Sequence, residues 1–273
     1  MRLAEQRIRF ARLIPSEFLL TGKGRYKYPN TLRTLGDDYM QVITSVNGLL
    51  RTLSATETPS SAKGRTIRCG LSAIDELLPG GGFSSGMIHE VLSQTDTPSL
   101  ILPALVARAA ARFGWIAWLD VARELFPPAL EALGIPLHRL LVLRPANRAD
   151  ELWAVAECLK CNGISGCIAA LPQLSRIQAR RLQLAAESGG GIGLVLRPAH
   201  AISWPYAAAT RWLIKPAQGE RMIQRCSVEL IHGHGGRIGQ SVLLEMNRET
   251  HHVRTIETVA DRQAQTQTAA ASA

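Results

Sequence analysis

From Ile67 onward, short apolar runs alternate with segments of helical period. The runs at 87–92, 115–119, 140–143, 166–171 and 192–196 are apolar on successive residues, not on every second one. Strands of that kind are buried on both faces, as in a mostly parallel sheet. Between them an Ala/Leu-rich stretch follows the first run, and the segments 126–133, 150–161 and 174–187 repeat apolar residues at spacings of three and four, which predicts helices. The end of the core differs. Runs at 211–214, 227–231 and 240–244 read as short strands, and the glycines of 233–239 permit the positive φ of a hairpin turn between the last two. The pattern therefore predicts an α/β fold: a mostly parallel central sheet flanked by helices, with antiparallel strands at the C-terminal edge.

The flanks lack this alternation. Residues 1–34 hold eight basic side chains against two acidic ones and read as a basic arm. Met40, Ile43, Val46, Leu50 and Leu53 then recur as one apolar helical stripe. Residues 54–66 are small, polar and non-periodic, as in a linker, and 257–273 offers little to bury and reads as a disordered tail. The expected organisation is an N-terminal arm, short helix and linker over 1–66, one core domain over 67–256, and the tail.

Composition narrows the class. Hydrophobic residues make up 46% of the 273 positions and charged ones 19%, enough to build a core and too apolar for wholesale disorder. No apolar stretch approaches the roughly 18 residues of a membrane span, and the opening Met1-Arg2-Leu3-Ala4-Glu5 does not read as a secretory signal, so a cytoplasmic protein is expected. The five cysteines are scattered, unlike a disulfide framework. The formal net charge of +9 comes mainly from arginine and attracts nucleic acid or an acidic protein.

A strand, loop and helix beginning near Met87 set the stage for a phosphate-binding loop. Such a loop needs glycines to curl the backbone round phosphate, a Lys to neutralise it and a Ser/Thr hydroxyl for Mg²⁺. Against Gly-x-x-x-x-Gly-Lys-Ser/Thr, the glycines are replaced by Ser93 and Pro98, the Lys by Ser99 and the hydroxyl by Leu100. All four defining positions fail, and Asp96 adds negative charge; no nucleotide, metal or other cofactor is expected.

The stretch from Cys69-Gly70-Leu71-Ser72-Ala73-Ile74-Asp75-Glu76-Leu77-Leu78-Pro79-Gly80-Gly81-Gly82 to Met87-Ile88-His89-Glu90-Val91 resembles the entry to a RecA-type core. Trp118-Leu119-Asp120-Val121-Ala122 and Leu133-Gly134-Ile135-Pro136 resemble its second strand and the turn into its third, and the match runs over about 67–215. Together with the lost phosphate loop, Leu196-Arg197-Pro198 and the segment from Val228-Glu229-Leu230 to Gly235-Gly236-Arg237, the chain is similar to the ImuA family, also described as SulA-like or RecA-like. That resemblance implies a non-catalytic accessory of SOS-induced mutagenesis. Its implied partners are an ImuB-type polymerase homologue, an error-prone replicative-type polymerase and the RecA filament. The strand 166–171 ends without the acidic residue that would hold Mg²⁺, and 196–198 lacks the amide side chain by which RecA senses nucleotide. Glu151 stands near the position of a general base, but without a phosphate cradle it has nothing to act on.

Candidate contacts remain. Trp204 and Tyr206 lie in a short segment where RecA carries a DNA-binding loop; they suit base stacking, though a loop folded over the sheet edge weighs more. Arg176, Arg180 and Arg181 share a predicted helix, with Leu174, Ile177, Leu182 and Leu184 expected on its opposite, inward side. The arginines are either a solvated face or a patch for DNA or an acidic partner. Met40, Ile43, Val46 and Leu50 are where a RecA-like protomer would pack on a neighbour. Gly82-Phe83-Ser84-Ser85-Gly86 matches a nucleophile elbow but precedes a strand, where that motif does not work. Cys158-x-x-Cys161 and the histidine pairs 232/234 and 251/252 lack the converging ligands a metal needs. The competing functions are an ATP-dependent RecA-type recombinase relative and a SulA-like cell division inhibitor.

Overall fold

The computed structural model describes residues 64–94, 100–145, 147–204 and 206–256. The predicted helix bearing Met40, Ile43, Val46 and Leu50 lies outside them, as does the tail. Short strands β1 (Thr66–Ile67) and β2 (Phe83–Ser84) form an antiparallel pair on either side of the single-turn helix α1 (Ser72–Asp75). The core then runs β3 (Ile88–Ser93), α2 (Ile101–Ala110), β4 (Trp115–Leu119), α3 (Pro127–Ala132), β5 (Leu140–Leu143), α4 (Arg148–Lys160), β6 (Ile164–Ala170), α5 (Arg176–Gly189) and β7 (Ile192–Pro198). A 3₁₀ turn (Ala199–Ser203) leads to β8 (Thr210–Glu220), β9 (Ile223–Gly233), β10 (Ser241–Asn247) and β11 (Val253–Ile256).

Among the described residues, nine strands form one sheet in the order β11-β10-β9-β8-β3-β7-β6-β4-β5. From β5 to β8 every pairing is parallel; from β8 to β11 every pairing is antiparallel. The mostly parallel sheet with an antiparallel C-terminal edge is thus present. Two features of it are not evident from sequence pattern: β8 and β9 are each 11 residues long, and β11 was not anticipated.

The handedness of parallel crossovers decides which helix covers which face. The connections from β3 to β4 and from β4 to β5 step one way along the sheet, and α2 and α3 pack on one face with Leu102, Leu105, Leu130 and Leu133. The connections from β5 to β6 and from β6 to β7 step the other way, and α4 and α5 pack on the opposite face with Val155, Leu159, Leu182 and Ala186. The β7-to-β8 connection steps in that second direction and, among its described residues, carries a 3₁₀ turn and no α-helix. Ala207 and Ala208 pack into the core of the second face instead.

Local chemistry sets the helix ends. Asn147 caps α4 by accepting from the Asp150 N–H, with Asp150 and Glu151 in the first turn and Lys160 in the last, each matching the helix dipole. Ser175 and Gln178 form a reciprocal capping box on α5, and Gly190 closes that helix with φ 82°. At Gly189 a Cβ would sit 2.1 Å from the Leu159 carbonyl oxygen, so the close approach of α5 to α4 requires glycine there.

His89, in the middle of the sheet, is buried with its Nδ1 2.7 Å from Thr210 Oγ1 and its Nε2 3.0 Å from the Ser84 carbonyl. The carbonyl can only accept, so Nε2 carries the proton and Nδ1 accepts from the threonine hydroxyl. Burial lowers its pKa to about 4. The unfolded chain therefore binds the extra proton first as pH falls, and stability present above pH 6.5 is lost on descending to about 4. The loss amounts to roughly 3 kcal/mol for this group. Chemical denaturation between pH 7 and 4 should show that slope in the wild type and a shallower one in His89→Leu, whatever the variant's absolute stability.

Candidate functional site

The strand bearing the phosphate-loop segment, β3, ends at Ser93, which is half-buried. Pro98 and Ser99 lie outside the described residues. Leu100, at the position of a metal-binding hydroxyl, precedes α2 and is 6% exposed, packed into the main core. Pro103 follows in the first turn of α2, where it removes a backbone donor. Across the sheet β6 ends in Ala170 and is followed by Leu171, neither with a carboxylate. Glu151 is buried and held 2.6 Å from Arg148, which also donates to the carbonyls of Ala170 and Gln173. Burial raises the Glu151 pKa, opposed by Arg148. The pair fastens the start of α4 to the end of β6. Asp120, at the end of β4, accepts from the Glu124 and Leu125 amides and from Arg144 and so shapes a turn.

One constellation on this sheet was not identified from sequence. Glu90 in β3 is 1% exposed and receives an arginine from each neighbouring strand: Arg197 Nη1 donates to Oε1 and Arg211 Nε to Oε2, both at 2.9 Å. The register produces it. Glu90 lies opposite Arg211 across the β3/β8 ladder and opposite Val195 across β3/β7, two residues from Arg197 on the same face. A signal existed: a carboxylate inside Met-Ile-His-Glu-Val-Leu cannot be buried without partners. Which arginines supply it depends on strand order.

Arg211 carries this arrangement into the β7-to-β8 connection. Its Nη1 and Nη2 donate to the carbonyls of Ile202 and Ala201, each at 2.9 Å. Trp204 lies over the Arg197 guanidinium at 5.6 Å and edge-on to His200; Tyr206 lies over Arg211 at 4.2 Å and meets His232 through a 3.2 Å hydrogen bond. Both aromatics thus have intramolecular stacking partners, with Trp204 half-buried and Tyr206 at the surface. His232 in turn meets His234 edge-on, and burial lowers its pKa, with His234 and Arg211 adding to the effect.

On α5, Arg176, Arg180 and Arg181 are exposed, as expected of either reading of them. The expected inward side is corrected. Leu174 and Leu182 are buried, but Ile177 is 75% and Leu184 47% exposed, on the arginine face. Leu182, Ala179 and Ala186 lie about 140–180° round the helix from Ile177, so the helical period turns Ile177 and Leu184 away from the packed side, where close approach to α4 and the sheet accepts the alanines.

Among the described residues, no group of three or more His, Cys, Asp or Glu side chains is placed to hold a metal. All five cysteines are buried. Burial pushes Cys226 up to about 12; Cys69 reaches about 12 through burial and the nearby Asp75. Cys167 is raised by its hydrogen bond to Cys158 and by burial. Such thiols are poor nucleophiles near neutral pH. Ser84 of the Gly-x-Ser-x-Gly stretch lies in β2 and leads into a strand, without the turn into a helix that a nucleophile elbow requires. No helix among the described residues is long and apolar enough to cross a membrane.

Removing the Glu90 charge leaves two buried guanidiniums facing each other. Glu90→Gln should cost about 3–5 kcal/mol of unfolding free energy in urea titration. Tyr206→Ala, losing a cation–π contact and an exposed hydrogen bond to His232, should cost only about 0.5–1.5 kcal/mol.

Comparison with known proteins agrees with this geometry. Solved structures sharing the fold include the RadB recombinase (TM-score 0.55, 13% identity, covering 70% of this chain and 100% of that one). A KaiC-like protein from Pyrococcus horikoshii OT3 is similar (TM-score 0.54, 13% identity, 71% and 99%). The profile of the cell division inhibitor SulA family matches residues 86–193. The SulA of Edwardsiella piscicida is 29% identical over 116 residues, covering 42% of this chain and 69% of that protein. Protein ImuA of Caulobacter vibrioides is 31% identical over 233 residues, covering 76% of this chain and 94% of that protein. With nearly the whole of that relative aligned on a RecA-like sheet, the chain belongs to the ImuA family.

Proposed function

We propose that this protein is a non-catalytic RecA-like accessory of SOS-induced translesion DNA synthesis, acting in the cytoplasm with an ImuB-type polymerase homologue. Its family membership supports a role related to that of ImuA. The observation that carries the non-catalytic part is the failure of all four defining phosphate-loop positions, with Leu100 turned into the core where a Mg²⁺-binding hydroxyl would stand. The RecA filament and an error-prone replicative-type polymerase are further partners in this reading, and the basic surface is available for DNA. A scaffold that keeps its sheet but not its phosphate cradle offers docking surfaces rather than turnover.

A second reading, a division inhibitor, draws on the match of residues 86–193 to SulA. It requires the purified protein to suppress FtsZ polymerisation in a light-scattering assay; the accessory reading requires no such effect.

Equilibrium titration with ATP and Mg²⁺ should give a Kd weaker than about 1 mM. Co-expression with an ImuB-type protein should yield a complex that survives size-exclusion chromatography. Micromolar, Mg²⁺-dependent ATP binding would restore the recombinase alternative, and a failure to co-elute would remove the adaptor role.

A further inference from the structure

Helix α5 has an apolar seam on the face turned away from the sheet. At 3.6 residues per turn, positions seven apart lie within about 20° of each other and about 10 Å apart along the axis. Ile177 and Leu184, 75% and 47% exposed, therefore line up along the outer surface. Arg180 lies about 60° to one side of Ile177 and Arg181 about 40° to the other. The seam runs between the guanidinium groups of Arg180 and Arg181, one on each side, with Arg176 beside its N-terminal end.

Scattered exposed apolar side chains are ordinary, but an aligned pair walled by arginine is not scatter. The charges are also left open. Arg180 reaches Glu187 only at 3.7 Å with both side chains well exposed, and among the described residues no carboxylate forms an ion pair with Arg176 or Arg181. The first turn of α5 holds Arg176 and no acidic residue, a placement that works against the helix dipole. The capping box and Gly190 terminate the helix at both ends, so the surface is preformed.

Charge selects the occupant. Residues 1–34, with eight basic side chains against two acidic, are repelled by this face, and a second copy brings a net charge of +9. Residues 35–63 carry the apolar stripe from Met40 to Leu53 but only three acidic side chains against two basic, too little negative charge to match three arginines. Residues 257–273 offer Val259 as their one large apolar side chain, too little to fill a two-residue seam. A nucleic acid backbone would use the arginines while pressing phosphates against Ile177 and Leu184. We infer that the outer face of α5 docks an acidic amphipathic helix of a protein partner, with apolar side chains on Ile177 and Leu184 and carboxylates on Arg176, Arg180 and Arg181. This inference stands on α5 alone and does not require the partner to be a polymerase homologue.

The test uses the full chain and fluorescence anisotropy with labelled helical peptides of roughly 18 residues. One peptide carries two leucines seven residues apart flanked by glutamates; the other has lysines in place of the glutamates. Oligo(dT) is the third probe. The glutamate peptide should bind the wild type, more weakly as salt rises. Its affinity should fall by about tenfold or more both in Ile177→Ser/Leu184→Ser and in Arg180→Glu/Arg181→Glu. The lysine peptide should bind the charge-reversed variant in its stead. Thermal unfolding midpoints of both variants should stay near the wild type, since none of the four side chains is buried. No binding of the glutamate peptide to the wild type, or binding indifferent to both double variants, would overturn the inference. So would oligo(dT) binding that depends on the arginines but not on Ile177 and Leu184 while exceeding that of the peptide. Each of these outcomes leaves ATP binding and co-elution with an ImuB-type protein to be judged separately.

Discussion

A carboxylate buried in the middle of a parallel sheet has to be neutralised by the strands beside it, and much of this molecule's second face follows from that requirement. Glu90 takes Arg197 from β7 and Arg211 from β8, so the three central strands are cross-linked by charge as well as by backbone hydrogen bonds. Arg211 then uses its remaining donors on the carbonyls of Ala201 and Ile202, which fixes the path of the chain leaving β7. Two cations on one anion leave excess positive charge, and the faces of Trp204 and Tyr206 lie over those guanidiniums. A replacement by apolar residues of similar size would avoid the desolvation cost, so the network gives position rather than raw stability.

The same constraint bears on function. In this fold the second face over β3 is covered by the β7-to-β8 connection, and here that connection is short and tied to the sheet. Where the sheet continues into β9, β10 and β11, one face stays in the core through Cys226, Val228, Leu244 and Met246. The other carries ion pairs such as Lys215–Glu229 and Arg225–Glu245. At the opposite side, Leu100 and Pro103 occupy the start of α2, where a nucleotide-binding relative would present a hydroxyl and free amides. The chain retains the scaffold of a RecA-like protein, and the outer face of α5 presents Ile177 and Leu184 beside three exposed arginines.

Much of the fold was legible as pattern. Parallel strands covered on both faces read as near-continuous apolar runs, and β4 and β5 fall on the predicted runs of Trp115–Leu119 and Leu140–Leu143. The helical periods of 150–161 and 174–187 fall on α4 and α5, whose ends the structure shows capped by Asn147, Ser175 and Gly190. The long β8/β9 hairpin was less legible, because its outer half, with Pro216, Gln218, Gly219 and Glu220, is exposed and has no apolar alternation to betray it. β11, at the sheet edge with only one partner, gives an equally weak signal.

The amino-acid sequence alone determined the fold class, the loss of the phosphate-loop residues and the basic balance, because each depends on residue type and spacing along the chain. Tertiary structure alone decided that Glu90 meets Arg197 and Arg211, since those residues are 107 and 121 positions away and converge only through strand order. The outward placement of Ile177 and Leu184 is not of that kind. At about 100° per residue both lie beside Arg180 and Arg181 and more than about 120° from the buried Leu182, so the helical period already separates them from the packed side. Period acts between neighbours on one helix, whereas the partners of a buried charge are chosen by strand order, which no local spacing encodes.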